Sequence, residues 1–478
     1  HCAAICSSLE YNFNQNKYMK TQILFLLLFS TAFACFSQGK YDLAIKNVDL
    51  FDSKTKKVLI NQTILINADT IASIVAGDVD VLAFNVIEGN GRLATPGFVD
   101  THIHLTNTYG DYEEAPEYLA KDSLTYYRQL LADEFLKYGT TTIRVAGQPE
   151  NWIKPTLKWQ KNPSPLYPDI YISGGALISD QPNPAYNNHV IVKGPEDAAA
   201  KIQEYYDLGI EHIKLYSKLQ PDDFKAAYNK AEELGLNVCA HVDRNIMSID
   251  TAMTWGMKHF EHTFTLAMSV FSYEQNWRQF EDYFYKDNRF AMWHLDFFNR
   301  TNEIFGFIDE NPDLAEKADS LIVQMANNQV SVCSTIHFFA ESAGTSYFAN
   351  APHQTGKPAV YDMYSRKRSR KNFAILMKYT KKLHDAGVML TIGTDCESGG
   401  KAALSEMILL EKAGVSVADI LQIATLNGAQ VISLDDKYGK RAPGKKANIV
   451  LFEKSPFKCS KNFLSEKVII KDGILYEN

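Results

Sequence analysis

The sequence predicts an α/β protein: a (β/α)8 TIM barrel carrying a small β-sandwich assembled from the two flanking segments of the chain. Three observations point there. The middle alternates amphipathic helices with short apolar strands, the pattern of parallel βα units. Both flanks hold alternating strand-like runs joined by polar turns. Histidine, lysine and aspartate recur at the ends of the predicted barrel strands, where barrel enzymes carry their chemistry.

Taken in order, the first methionine is Met19, followed by Lys20, an apolar run over 23–29 and Ala32-Phe33-Ala34. A short basic start, an apolar stretch too short to span a bilayer and a small-x-small site read as a signal peptide over 19–38. Residues 1–18 then lie upstream of the natural start, and the mature protein is expected to be exported, periplasmic or secreted. Cys35 stands where a lipidated cysteine would, but Phe33 fits that pattern poorly, so cleavage without lipidation is the expectation. Export permits disulfides. Yet Cys239, Cys333, Cys396 and Cys459 are scattered without the spacing of a disulfide framework or a zinc knuckle. Cys239 and Cys333 sit in apolar runs and read as buried free thiols.

Residues 39–96 hold runs such as Leu43-Ala-Ile-Lys-Asn-Val-Asp-Leu-Phe51, and residues 440–478 hold Ala447-Asn-Ile-Val-Leu-Phe452 and a second run through Asp472-Gly473, a hairpin signal. Each flank is too small to bury a core alone, so the two are expected to pair. Between them, 97–439 reads as the barrel. Helices are expected over 123–138, 195–208, 221–234 and 375–386, each preceding a strand, at 141–145, 212–216, 237–241 and 388–395. Apolar content of 46% suffices for a core of this size. The segment at about 268–380 is less regular and rich in aromatics, among them Phe271, Trp277, Phe280 and Trp293; it reads either as extra helices packed on the barrel or as a wall over the site. The formal net charge of −7 argues against a nucleic-acid or anionic-membrane partner.

A strand predicted over 93–99 leads into Asp100-Thr101-His102-Ile103-His104. Side chains two apart on a strand share a face, so His102 and His104 project together. Lys214 lies within His212-Ile-Lys-Leu-Tyr216, His241 ends the strand beginning at Asn237, His262 ends Lys258-His-Phe-Glu-His262, and Asp395 ends Leu390-Thr-Ile-Gly-Thr-Asp395. Singly, a strand-end histidine is a satisfied polar residue, a strand lysine snorkels and an aspartate after Gly-Thr caps a helix. All six in order at strand ends are poorly explained that way.

These stretches resemble the amidohydrolase superfamily, in its imidazolonepropionase-like and Xaa-Pro dipeptidase-like branch. The matching residues are Pro96-Gly-Phe-Val-Asp-Thr-His-Ile-His104, His212-Ile-Lys-Leu-Tyr216, Ala240-His241, Phe260-Glu-His262 and Ile392-Gly-Thr-Asp395, continuing into Ala424-Thr-Leu-Asn-Gly-Ala429 and Pro443-Gly-Lys-Lys-Ala-Asn448. Asn448 departs from the family's aspartate, at a position in the β-sandwich rather than among the ligands. The resemblance covers about residues 41–478. It implies that His102, His104 and Asp395 hold one divalent ion, that His241 and His262 hold a second, and that an N-carboxylated Lys214 bridges them. A free ammonium beside two dications would be repelled, whereas a carbamate offers an anionic oxygen to each. Zinc is the first expectation for such mixed donors, with Mn2+ or Fe2+ also compatible.

The implied reaction is attack of a metal-bound hydroxide on a carbonyl, with Asp395 moving the proton to the leaving nitrogen. Tyr216 shares the strand face of Lys214 and is expected to bind substrate, and His337 is expected to contact substrate from the end of a seventh strand. His212, a layer deeper, reads as structural. The basic run 366–371 reads as a solvated helix start. Two substrate groups compete: cyclic amides or amidines and related non-peptide amides, and small Xaa-Pro dipeptides, with lactones or esters as a third. A non-catalytic barrel would be expected to lack some ligand, and none is missing. The expected partner is a small molecule, with no nucleic acid and no integral membrane domain; a homo-oligomer is compatible.

Overall fold

The computed structural model describes residues 41–110, 124–181, 186–348 and 365–477; residues 1–18, the expected leader at 19–38 and Cys35 lie outside the described residues. The two flanks of the chain meet in one hydrogen-bonded sheet of eight strands. Its long member, Tyr41–Asp52, runs antiparallel to Lys57–Asn67 and parallel to both Ala83–Glu88 and Leu93–Pro96. Ile449–Phe452, some 350 residues later, pairs antiparallel with Leu93–Pro96 and carries Lys467–Lys471 and Ile474–Tyr476 beyond it. Alternation decides which side is buried: Leu43, Ile45, Ile64, Ile66, Ile449, Leu451 and Ile470 form one apolar cluster. Asp472 and Gly473 both take positive φ, the geometry of the tight hairpin turn their sequence signals.

The expected strand over 93–99 is two strands. Leu93–Pro96 belongs to the flanking sheet and Phe98–Ile103 opens the barrel. Gly97 is the joint: its N–H donates to Asn448 O at 2.8 Å, and a Cβ there would stand 2.1 Å from Thr141 Oγ1. The chain can pass from one sheet into the other only where no side chain fills that space.

The barrel strands are Phe98–Ile103, Thr140–Val145, Asp169–Ile172, His212–Leu215, Asn237–Ala240, His259–Phe260, Ser331–Cys333 and Met389–Thr391. Strand pairing along the wall is parallel, and a bridge from Ser173 to His212 joins the third strand to the fourth. Closure falls between last and first: Thr101 N–H donates to Ile392 O and Asp395 N–H to His102 O, both at 2.9 Å. The helices fit their sequence signals. Pro195–Leu208 and Pro221–Glu233 each start on proline, and the first ends at Gly209 in the left-handed region.

Two expectations change here. The helix expected over 375–386 is the second half of Arg366–Ala386, so the basic run forms its first turns. Arg368 is not simply solvated: its guanidinium makes two 2.7 Å bonds to buried Glu303 and one of 2.6 Å to Asp287. The aromatic segment serves both uses weighed for it. Phe271, Phe280 and Phe284 are buried among the helices Tyr273–Tyr285 and Phe297–Glu310, whereas Phe297 and Phe298 face the cavity at the barrel mouth.

Candidate metal centre

The six predicted ligand residues surround one cavity of about 840 Å3 at the C-terminal ends of the strands. His102 and His104 do share a face, with their Nε2 atoms 3.2 Å apart. What holds the rings is on their far sides. His104 Nδ1 lies 3.0 Å from the carbonyl of Gly147, an acceptor only, so this nitrogen carries the hydrogen and Nε2 presents its lone pair. His102 Nδ1 lies 2.6 Å from Glu261 Oε2, which sets the same tautomer. Asp395 Oδ1 sits 3.4 Å from His104 Nε2 and 3.7 Å from His102 Nε2, and Oδ2 lies 3.9 Å from His262 Nδ1.

The other half of the set completes a ring of donors. His262 stands with its centroid 4.7 Å from that of His102 and 4.8 Å from that of His241, and its Nδ1 is 3.0 Å from Thr335 Oγ1. Lys214 is 1% exposed, and its Nζ has no hydrogen-bond partner; the nearest carboxylate oxygen, Glu261 Oε1, is 3.7 Å away. His241 Nδ1 is buried and equally unpartnered. Burial is costly for such groups unless something else satisfies them. Burial also lowers His104 to about 4 and His241 to about 3, so both are neutral imidazoles at physiological pH. Neutral, convergent imidazole nitrogens and one carboxylate fit divalent ions, and the stranded lysine amine fits them once it is carboxylated.

A second cluster of potential donors, His102, Glu261 and Cys333, does not fit. The Glu261 oxygens are already taken by His102 and by Arg144, and burial pushes the Cys333 thiol well above its usual range.

Tyr216 lines the cavity between His189 and His241, with ring centroids 4.5 and 5.1 Å away, and burial pushes its phenol up to about 12. His337 is a correction. The seventh strand ends at Cys333 and His337 is the first residue of the helix His337–Ser342, fully buried and stacked on Phe348 at 4.4 Å. Its neighbours Phe338 and Phe339 line the cavity in its place. His212 is buried at the other end of its strand beside Tyr171, as expected of a structural residue.

Three positioning residues escaped the sequence reading: Glu261, Arg144 and Thr335. Burial raises the Glu261 carboxyl, but His102, Lys214 and Arg144 outweigh it and hold the group well below the usual carboxylate range. The available signal was a pair of charged residues, Arg144 within one short predicted strand and Glu261 directly after Phe260 at the end of another.

The geometry has counterparts. The family model for amidohydrolases matches residues 93–278 and 364–475, more than half of the chain. An imidazolonepropionase from Brevibacillus brevis is 32% identical over 81 residues, 16% of this chain and 19% of that protein. An adenine deaminase from Desulforamulus reducens is 31% identical over 106 residues, 22% of this chain and 15% of that protein. These matches span about a fifth or less of the curated relatives' length. Among solved structures, a Xaa-Pro dipeptidase with bound methionine superposes with a TM-score of 0.62 at 19% identity, covering 91% of this chain and 100% of that one. Ochratoxinase from A. niger gives 0.60 at 16% identity, over 92% and 96%. At those identities the likeness speaks for the barrel and its flanking sheet. By the family match over more than half of its length, the chain belongs to the amidohydrolase family.

Proposed function

We propose that the protein is an exported, binuclear metal-dependent amidohydrolase that hydrolyses a carbon–nitrogen bond in a cyclic amide, an amidine or a related non-peptide amide. One observation carries the reading: Lys214 Nζ is buried without a hydrogen-bond partner, on the cavity that His102, His241 and His262 also line. Glu261 Oε1, 3.7 Å away and already bonded by Arg144, stands too far to satisfy the amine by a hydrogen bond. A carbamate on that nitrogen would share two anionic oxygens between ions held by His102, His104 and Asp395 on one side and by His241 and His262 on the other.

When bound, divalent ions supply Lewis acidity and lower the pKa of water to near neutrality. The chain's own residues do the rest. Asp395, with its side chain 28% exposed, faces both the histidine pair and the open cavity, so it can take a proton from the attacking water and deliver it to the leaving nitrogen. Tyr216 keeps its proton across the physiological range and is placed to donate a hydrogen bond to substrate. Export rests on the leader-like segment at 19–38. Among the described residues no helix is long and apolar enough to cross a membrane. Zinc suits the mixed nitrogen and oxygen donors, and Mn2+ or Fe2+ would serve.

A Xaa-Pro-type dipeptidase is the second reading, favoured by the superposition on a Xaa-Pro dipeptidase over almost the whole barrel and flanking sheet. Metal analysis of the purified protein, coupled to a hydrolysis screen of cyclic amides, N-acyl amino acids, dipeptides and lactones, tests both. Two metal equivalents with turnover of non-peptide amides is the expected result. Turnover confined to dipeptides installs the second reading, turnover confined to lactones or esters replaces both, and no metal with no turnover removes the enzyme reading.

A further inference from the structure

The cavity above the ligand ring is lined by polar residues, Tyr186, Asn188, His189 and Ser217 among them, and by a run of phenylalanines. The phenylalanines form a continuous aromatic wall that begins at the ligands themselves. Phe264 stacks on His262 with centroids 4.9 Å apart and planes at 12°, Phe297 meets Phe264 edge-on at 5.3 Å, Phe298 follows at 5.5 Å, and Phe338 stacks on Phe298 at 4.9 Å. Ordinary core packing would bury all of these rings. Phe297 is instead 43% exposed, facing into the cavity.

The wall is also held in place. Asp296 caps the helix Phe297–Glu310 by accepting from Asn299 N–H at 2.8 Å, which fixes Phe297 and Phe298 at its first turn. The same carboxylate accepts from Ser342 Oγ at 3.2 Å, at the end of the helix that carries Phe338 and Phe339. One side chain therefore ties both phenylalanine pairs together. A rigid, partly exposed aromatic surface touching the reacting centre gains by covering itself with an apolar group of matching shape.

Resting on the hydrolase reading above, we infer that the substrate carries an aromatic or similarly bulky apolar group that lies on the Phe297, Phe298 and Phe338 wall, making these residues specificity determinants. The test is a matched pair of amides, N-acetyl-phenylalaninamide and N-acetyl-alaninamide, offered to the metal-loaded enzyme. The benzyl member is expected to show at least about a tenfold advantage in kcat/KM. Phe297→Ala and Phe338→Ala should each shrink that ratio severalfold, chiefly through KM. Calorimetric binding of the same pair reads the preference without turnover, so an enzyme that cuts neither amide still answers: tighter binding of the benzyl member by about tenfold supports the wall, while the bond cleaved is decided separately by the hydrolysis screen. Equal binding of the two members, or a ratio unchanged in both variants, overturns the inference.

Discussion

His102 Nδ1 and Glu261 Oε2 lie 2.6 Å apart with both side chains sealed from solvent, and this contact turns the opposite nitrogen of His102 toward Asp395. The second oxygen of Glu261 receives Arg144 and stands 3.7 Å from Lys214 Nζ. One buried carboxylate thus faces a ligand of the first ion site and the lysine expected to bridge to the second.

Glu261→Gln should therefore weaken metal binding by on the order of 10–100-fold, the usual effect of removing the partner of a ligating imidazole. A chelator competition titration measures it. Unchanged affinity in a folded variant would reduce Glu261 to a structural counter-ion for Arg144.

Lys214→Ala should lose most of its bound metal and its activity, and added short carboxylic acids should restore part of the rate by entering the space the side chain leaves. Metal content and rate with and without formate or acetate decide it. Two metals and full rate in the variant would sink the carbamate.

Gly393 sits where the barrel closes, and a Cβ there would stand 2.1 Å from Cys333 Sγ and 2.7 Å from His102 Cβ. Gly393→Ala is expected to cost about 1–3 kcal/mol of stability by overpacking and to weaken metal binding by pushing His102. Adding Cys333→Ala should return part of the stability but little of the metal affinity, since only the sulfur clash is relieved. Denaturation midpoints and metal titrations of the two variants separate these effects.

Glu406 is buried and accepts from Ser334 Oγ, from Ile336 N–H at 2.6 Å and from His337 N–H at 3.0 Å. Burial pushes its carboxyl up to about 8 against those hydrogen bonds. A folded-state value above the unfolded one means stability that is fully present below about 4.5 and lost as pH rises through 8. Glu406→Gln removes that loss. The stability difference between wild type and variant should fall between pH 5 and about 8.5, read from urea denaturation at matched pH; a flat or rising difference would mean the carboxyl is already ionised when folded.

The ligands were legible because each stands on or beside a short strand, where a period of two fixes which residues share a face. His102 with His104 is the clearest case. The same count failed for His337, because the strand ends at Cys333 and a helix begins at His337, so alternation no longer tells which way a side chain points. The strand split at Gly97 was hidden because a run buried along its whole length shows no change of pattern where it changes sheets. The role of Glu261 is invisible in the sequence, since its partners Arg144 and Lys214 come from other strands and only the closed barrel brings them together.

The pairing of Leu93–Pro96 with Ile449–Phe452 has a consequence for how the molecule is made. The strand that delivers His102 hangs directly from a segment whose partner is synthesised some 350 residues later, and the barrel seam itself waits for Ile392. Closing contacts between such distant parts is slow, and little of the ring can be ordered on a growing chain. Assembly of the centre therefore becomes an all-or-none event that waits for both distant partners. A chain cut short anywhere before residue 449 should be inert and protease-sensitive rather than a hydrolase of reduced activity.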